Sequence, residues 1–289
     1  DEWLGVIEAA AEERSMASTS DSPTIGADEL HILLHAAEQG YTSEPGRDRY
    51  LEQHIPGAGF INLSEDWSDT RSPYNNTVPD IDALAEAIAR DGIDNDSSVV
   101  LYSSSHIMWA TRAWWLLRYA GHTNVKVLNG NFTAWLDAGY PVESGETRYS
   151  PASFTPVEHS EMFVDTEQMV AAMESTVCTI NALSPAVYAG TGDVYYGRRG
   201  HIPGSRSVYF SDLLQNEFFL PAEQLSQTLE AQGMLSAPRA LIYCGGGIAA
   251  TLDGFACLLV GQENVAVYDG SMSEWAANEE LPLTLGEQP

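Results

Sequence analysis

The sequence predicts an α/β fold of two similar domains, each a mainly parallel sheet with helices on both faces. Three observations predict it. Apolar runs of strand length, Val99–Tyr102, Val125–Leu128, Ala240–Tyr243 and Val265–Tyr268, alternate with stretches of helical periodicity. The second half repeats the first. Gly121 and Trp135 return as Gly261 and Trp275, and Val125-Lys126-Val127-Leu128-Asn129-Gly130 returns as Val265-Ala266-Val267-Tyr268-Asp269-Gly270, all at an offset of 140 residues. His54-Ile55-Pro56-Gly57-Ala58 likewise returns as His201-Ile202-Pro203-Gly204-Ser205. So long a period means two domains rather than a solenoid, and a length of 289 residues suits two. The expected division is 1–145, a linker over 146–157 with two prolines, and 158–289.

In chain order, Asp1 to Glu13 reads as a helix with Trp3, Leu4, Ile7 and Ala11 on one face, and residues 14–27, rich in Ser, Thr and Asp, read as an exposed loop. His31–Leu34 is a short strand, and a Ser/Asp/Pro-rich loop runs from Ser64 to Pro79. Ile81–Arg90 is an amphipathic helix with Ile81, Leu84, Ala85 and Ile88 inward, ended by Gly92. Met108–Tyr119 is a helix whose Trp109, Trp114 and Trp115 fall at core spacing, and Asn131–Ala138 is a short helix closed by Gly139 and Pro141. Cys178, in an apolar run from Thr176 to Ile180, is expected in the core.

The formal charge of -28, with Lys126 the only lysine, sets the surface potential. It should repel nucleic acid and anionic membranes, so neither is expected as a partner. No apolar run approaches the roughly 20 residues that span a bilayer. The chain starts at Asp1 without a methionine, so a removed leader is compatible and both a cytoplasmic and a periplasmic location stay open. Cys178, Cys244 and Cys257 form an odd set without framework spacing, which argues against structural disulfides.

The chemistry concentrates after Ala240–Tyr243. Cys244 closes that apolar run, Gly245, Gly246 and Gly247 follow, and Ile248, Leu252, Phe255 and Leu259 then recur at helical spacing. A cysteine is thereby presented between a strand and a helix start, on a loop with almost no side chains. Glycines let backbone N–H groups turn toward one point, and the helix start adds partial positive charge. Such a loop, Cys244 with Gly245, Gly246, Gly247, Ile248 and Ala249, should favour a thiolate at a solvent-reachable mouth and hold an anion without a metal. The competing reading is a packed cysteine, because free cysteines are among the most buried residues.

This stretch resembles the active-site loop of the rhodanese (sulfurtransferase) family, whose mercaptopyruvate type reads Cys-Gly-x-Gly-x-x-Ala. The paired His-Ile-Pro-Gly segments, Arg112-Ala113-Trp114-Trp115, and Tyr268-Asp269-Gly270-Ser271 with Glu274-Trp275 resemble the family too, from Trp3 to Pro282. The resemblance implies a tandem rhodanese that moves a sulfane sulfur from a small donor, thiosulfate or 3-mercaptopyruvate, to a thiol or cyanide through a Cys244 persulfide. It implies no metal and no organic cofactor, and a protein sulfur acceptor is compatible with it. The first copy has Ser103 in place of the cysteine, and first copies in this family commonly act as scaffold.

The departures are specific. Thiosulfate-type loops place basic residues where Gly245 and Gly246 stand, and mercaptopyruvate-type loops often carry a hydroxyl at the position of Gly246. That type also draws an acid and a histidine from the Ser-Pro-Tyr region, where this chain offers Glu65 or Asp66 and Asn75-Asn76. A family Asp-x-Arg reads Asn181-Ala182-Leu183, so Arg198 and Arg199 become the expected donor-binding cations, against a reading as surface ion pairs. These losses leave a low-turnover sulfur carrier or binding module as the alternative. Ser103 beside His106 lacks the Gly-x-Ser-x-Gly turn of a hydrolase. A phosphatase loop would need arginine at Ala250 to grip a phosphate's oxygens. His54 and His201 occur in both copies and are expected to hold turns.

Overall fold

The computed structural model describes residues 24–25, 33–37 and 46–289. The helix expected over Asp1–Glu13 lies outside the described residues. Two five-stranded sheets form the frame. The first uses β1 (Thr24–Ile25), β2 (Leu33–Ala37), β3 (Gly59–Asn62), β4 (Val99–Tyr102) and β5 (Val125–Leu128), in the order β1-β5-β4-β2-β3. The second uses β6 (Phe163–Val164), β7 (Cys178–Asn181), β8 (Arg206–Ser207), β11 (Ala240–Tyr243) and β12 (Val265–Tyr268), in the order β6-β12-β11-β7-β8. Every pair in both sheets is parallel. A separate hairpin of β9 (Leu214–Gln215) and β10 (Phe218–Phe219) is antiparallel.

Thr24–Ile25 corrects the expectation of a plain loop over 14–27: a two-residue edge strand pairs with β5 through its backbone and leaves no mark in a Ser/Thr/Asp-rich composition. The strand expected over His31–Leu34 is described over Leu33–Ala37.

The helices follow their local signals. The first, α1, spans Gly46–Glu52. At the start of α2 (Ile81–Arg90) the Asp80 carboxylate accepts from the Asp82 N–H at 3.0 Å, and Leu84, Ala85 and Ile88 are buried. Gly92 just beyond its end takes φ +86°, the left-handed conformation glycine reaches without penalty. Met108–Tyr119 (α3) is buried on nearly every side, and Asn131–Asp137 (α4) follows β5. Thr166–Ala172 (α5) begins with a capping box between Asp165 and Gln168. Pro185–Tyr188 (α6), Ala222–Ala231 (α7), Ala249–Leu259 (α8) and Ser271–Trp275 (α9) complete the set among the described residues.

Alternation along the central strands sorts the core. Ala240 and Ile242 face one cluster, whereas Leu241 and Tyr243 face another built with Met169, Met272 and Trp275. Val99 and Leu101 from the first sheet join the same cluster as Ala240 and Ile242, so the two domains share one apolar core. Its middle is α3 packed on α8. Trp115 lies so close to Gly254 that a Cβ there would come within 2.8 Å of the indole, and Trp114 meets Phe255 edge-on at 5.0 Å. Thr111 and its repeat partner Thr251 hydrogen bond across this contact at 2.9 Å. The three tryptophans of α3 are core, as their spacing predicts.

One group disturbs this core. Asp253 on α8 is fully buried and neither carboxylate oxygen has a hydrogen-bond partner. Burial pushes its pKa well above the carboxylate range, and Asp212 adds to the shift. The unfolded chain releases this proton near the ordinary value of about 3.9, while the folded chain keeps it. The unfolded state therefore binds fewer protons above that pH, and stability falls as pH rises until the folded group itself titrates. Asp253→Asn is expected to remove that slope and to stabilise the protein at pH 7. Urea unfolding of both proteins from pH 4 to 8 checks this; parallel curves would refute it.

Candidate active site

Cys244 stands at the carboxyl end of β11, a central strand, where parallel α/β sheets place their ligands. Its N–H donates to the Ser271 hydroxyl at 3.1 Å, and the Met272 N–H donates to its carbonyl at 3.0 Å. The Gly245 carbonyl accepts from both the Ser273 N–H, at 2.9 Å, and the Ser273 hydroxyl, at 2.7 Å. The start of α9 therefore holds the loop by its carbonyls. The amides are left over: among the described residues, no N–H of Gly245, Gly246, Gly247, Ile248 or Ala249 donates to a protein acceptor. Buried N–H groups without partners are rare in folded chains, and here five in succession have no protein acceptor.

The expectation of a solvent-reachable thiol needs correction. Cys244 is 2% exposed and lies against the main apolar cluster, and within the loop only Gly246 keeps partial access. Beside it, the Tyr195 hydroxyl occupies the space into which a side chain at Gly245 would project. Tyr196 follows it, and burial pushes its phenol pKa up, with Tyr243 and Cys244 adding to the shift. Its hydroxyl is buried with no hydrogen-bond partner. Nothing in the sequence gave this pair a role; two adjacent tyrosines carry no periodic signal.

The far wall is built by the first domain. Arg112, on α3 and 1% exposed, donates to the Asn76 carbonyl at 2.6 Å, to Asp269 Oδ1 at 2.8 Å and to the Gly247 carbonyl at 3.3 Å. The other Asp269 oxygen accepts from the Val78 N–H at 2.7 Å. One guanidinium thus ties the 76–78 turn, the loop and the end of β12 together. Gly247 must be glycine here: its φ is +79°, and a Cβ would lie 2.6 Å from the Asp269 carbonyl oxygen.

The two expected cations behave differently. Arg198 is taken up by the main chain, donating to the carbonyls of Trp275, Ala276, Asn278 and Leu281 at 2.6–3.1 Å. With its donors engaged in pinning the segment after α9, it is not free to grip a substrate, which corrects that expectation. Arg199 is half-exposed and pairs with the fully exposed Asp193 at 3.2 Å. Asp66 pairs with Arg90, and Glu65 accepts from Asn62 at 2.8 Å. His54 and His201 stack on Tyr50 and Tyr188 at 4.2 and 3.8 Å, with Nδ1 on the carbonyls of the same tyrosines, so both hold turns. Cys257 is fully buried and Cys178 half-buried; burial pushes both thiols up. Among the described residues no group of His, Cys, Asp or Glu could hold a metal, and no helix is long and apolar enough to cross a membrane.

The family model for the rhodanese-like domain matches this chain twice, over residues 44–138 and 178–278. The chain belongs to the rhodanese family. This rhodanese is 34% identical to thiosulfate sulfurtransferase of Bos taurus over 84% of each chain. It is 30% identical to 3-mercaptopyruvate sulfurtransferase of Escherichia coli strain K12, over 88% of this chain and 92% of that one. In fold it is similar to the Tum1 protein of Saccharomyces cerevisiae, with a TM-score of 0.78 at 22% identity, covering 94% of this chain and all of that one.

Proposed function

We propose that this rhodanese is a sulfurtransferase whose sulfur carrier is Cys244. The Cys244 thiolate attacks the sulfane sulfur of thiosulfate or the thiol sulfur of 3-mercaptopyruvate and forms an S–S bond. The donor's own bond to that sulfur breaks, and the electron pair leaves with sulfite or with the enolate of pyruvate. The terminal persulfide sulfur then sits among the amides of Gly245, Gly246, Gly247, Ile248 and Ala249. A thiophile such as cyanide or a thiol takes that sulfur and returns the thiolate, a ping-pong cycle.

The observation that carries this reading is the contrast between the two copies. In the second loop the amides have no acceptor of their own. In the first, the Ser105 N–H is held by Ser103 Oγ at 3.1 Å and the Met108 N–H by His106 Nδ1 at 3.2 Å. The loop that keeps its thiol also keeps its donors open. Thiosulfate and 3-mercaptopyruvate both remain as donors, in line with the two kinds of relative. Arg199 is the cation proposed to steer the donor, since an exposed pair with Asp193 is weak and exchanges readily.

Intact-mass measurement after incubation with each donor tests the reading. A gain of one sulfur on Cys244, released by cyanide as thiocyanate, is expected; no gain with either donor would sink it. The second reading, a carrier of low turnover, is favoured by the commitment of Arg112 and Arg198 to protein partners; sulfur gained but not turned over would select it.

Tyr196 is proposed to donate its hydroxyl to the donor or to the persulfide. Tyr196→Phe is expected to lower kcat/KM by about 10- to 100-fold. Because that hydroxyl has no partner to lose, Tm should be unchanged or slightly raised. An unaltered kcat/KM would exclude the role.

A further inference from the structure

The loop of the first domain that lacks a thiol is not empty. A carboxylate from the second domain sits in it. Asn216 and Glu217 form the two-residue turn between β9 and β10, with φ of +52° and +65°. Such turns suit Asn at the first position and Gly at the second, because both φ values are positive. Glutamate is a poor choice for the backbone, so its side chain must account for it. Glu217 Oε2 accepts from the Ile107 N–H at 2.5 Å and from Asn131 Nδ2 at 3.3 Å. Its other oxygen lies 3.5 Å from His106 Nε2. Asn131 is 1% exposed, and its own carbonyl oxygen holds the Ser103 N–H at 2.6 Å.

Each partner has its counterpart at the catalytic loop. Ser103 corresponds to Cys244 and Ile107 to Ile248, whereas Asn131, which orients Ser103, corresponds to Ser271, which orients Cys244. The turn is docked as well as its carboxylate. The Phe219 N–H donates to Asn129 Oδ1 at 3.0 Å, and Phe218 fills the space a side chain at Gly130 would need. The 76–78 turn of the first domain makes the reciprocal approach to the catalytic loop, with the Val78 N–H on Asp269. Asn75-Asn76-Thr77 at that turn carries no carboxylate, and among the described residues no acceptor meets the amides of the 245–249 loop.

We infer that the Ser103–Ile107 loop is a preserved oxyanion-binding site whose resident ligand is this chain's own Glu217. When that carboxylate is withdrawn, the site takes a small inorganic oxyanion. Ile107 N–H and Asn131 Nδ2 supply neutral donors and His106 supplies a ring N–H, a set that suits planar carboxylate and tetrahedral sulfate alike.

The test uses the full chain in the Cys244→Ser background, so that no persulfide forms and the outcome is independent of the sulfur-transfer reading. Glu217→Ala and unaltered Glu217 are titrated with sodium sulfate against sodium chloride at equal ionic strength. Thermal unfolding and the amide signals of Ile107 and His106 are followed. Sulfate bound by the open amides of the 245–249 loop raises Tm in both proteins alike; Glu217→Ala is expected to gain a further saturable, sulfate-specific rise with movement of the Ile107 signal, and the protein retaining Glu217 to show neither of these. Equal responses in both proteins, or no sulfate response in Glu217→Ala, would overturn the inference. Glu217→Gln, which keeps the shape and removes the charge, covers the case in which Glu217→Ala does not fold: its Ile107 amide should lose the downfield shift of a short charge-assisted bond, and an unmoved Ile107 signal would count against the site.

Discussion

Cys244→Ser is expected to reduce thiocyanate formation from either donor to the buffer background while leaving the fold intact. The first domain is a built-in control for the second half of that statement. Ser103 occupies the matching strand end, fully buried, with its N–H held by Asn131 as the Cys244 N–H is held by Ser271. A serine therefore fits this position, and a stability change of about 1 kcal/mol or less is expected. Activity is another matter, because an alcohol neither ionises near neutral pH nor retains a transferable sulfur. Thiocyanate assay and thermal unfolding of the same preparation check both halves. Turnover retained by the serine variant would place the carrier elsewhere.

Arg112→Met is expected to cost about 3–5 kcal/mol, the range for removing one partner of a buried ion pair. The loss is not only Coulombic. Asp269 would keep its charge beside the loop with only the Val78 N–H to answer it, and the carbonyls of Asn76 and Gly247 would lose their donor. Turnover should fall along with stability, since Gly247 belongs to the loop proposed to hold the persulfide. Arg112→Lys should recover only part of both, because one ammonium cannot span three acceptors presented to a planar fork. Urea unfolding and steady-state kinetics read the two effects; a stability change below about 1 kcal/mol would refute the role assigned to this arginine.

The sequence makes the frame legible because the central strands are short apolar runs and because the chain states its pattern twice. Val99–Tyr102, Val125–Leu128, Ala240–Tyr243 and Val265–Tyr268 are all strands with the bounds their composition predicts. Strands of two residues, such as Thr24–Ile25 and Arg206–Ser207, are set by backbone pairing and carry no alternation to read. The position of Cys244 at a strand end was readable; its depth was not, because an apolar cluster drawn from both domains sets it. Arg198 illustrates the same limit. A pair of arginines in an acidic chain suggests an anion, but four carbonyls near the C-terminus satisfy one of them, and carbonyls have no sequence signature. Arg112 carried a family likeness without a role, and its partner Asp269 lies 157 residues away.

The interlock of Trp115 against Gly254 has a consequence for how such a chain can change over generations. A half that has lost its reactive sulfur would ordinarily be free to erode or to be deleted. Here it cannot be, because it lends its neighbour an indole, a guanidinium and part of a common interior. The half that carries Ser103 is thus an obligate companion, and a change in it is felt by the half that carries Cys244.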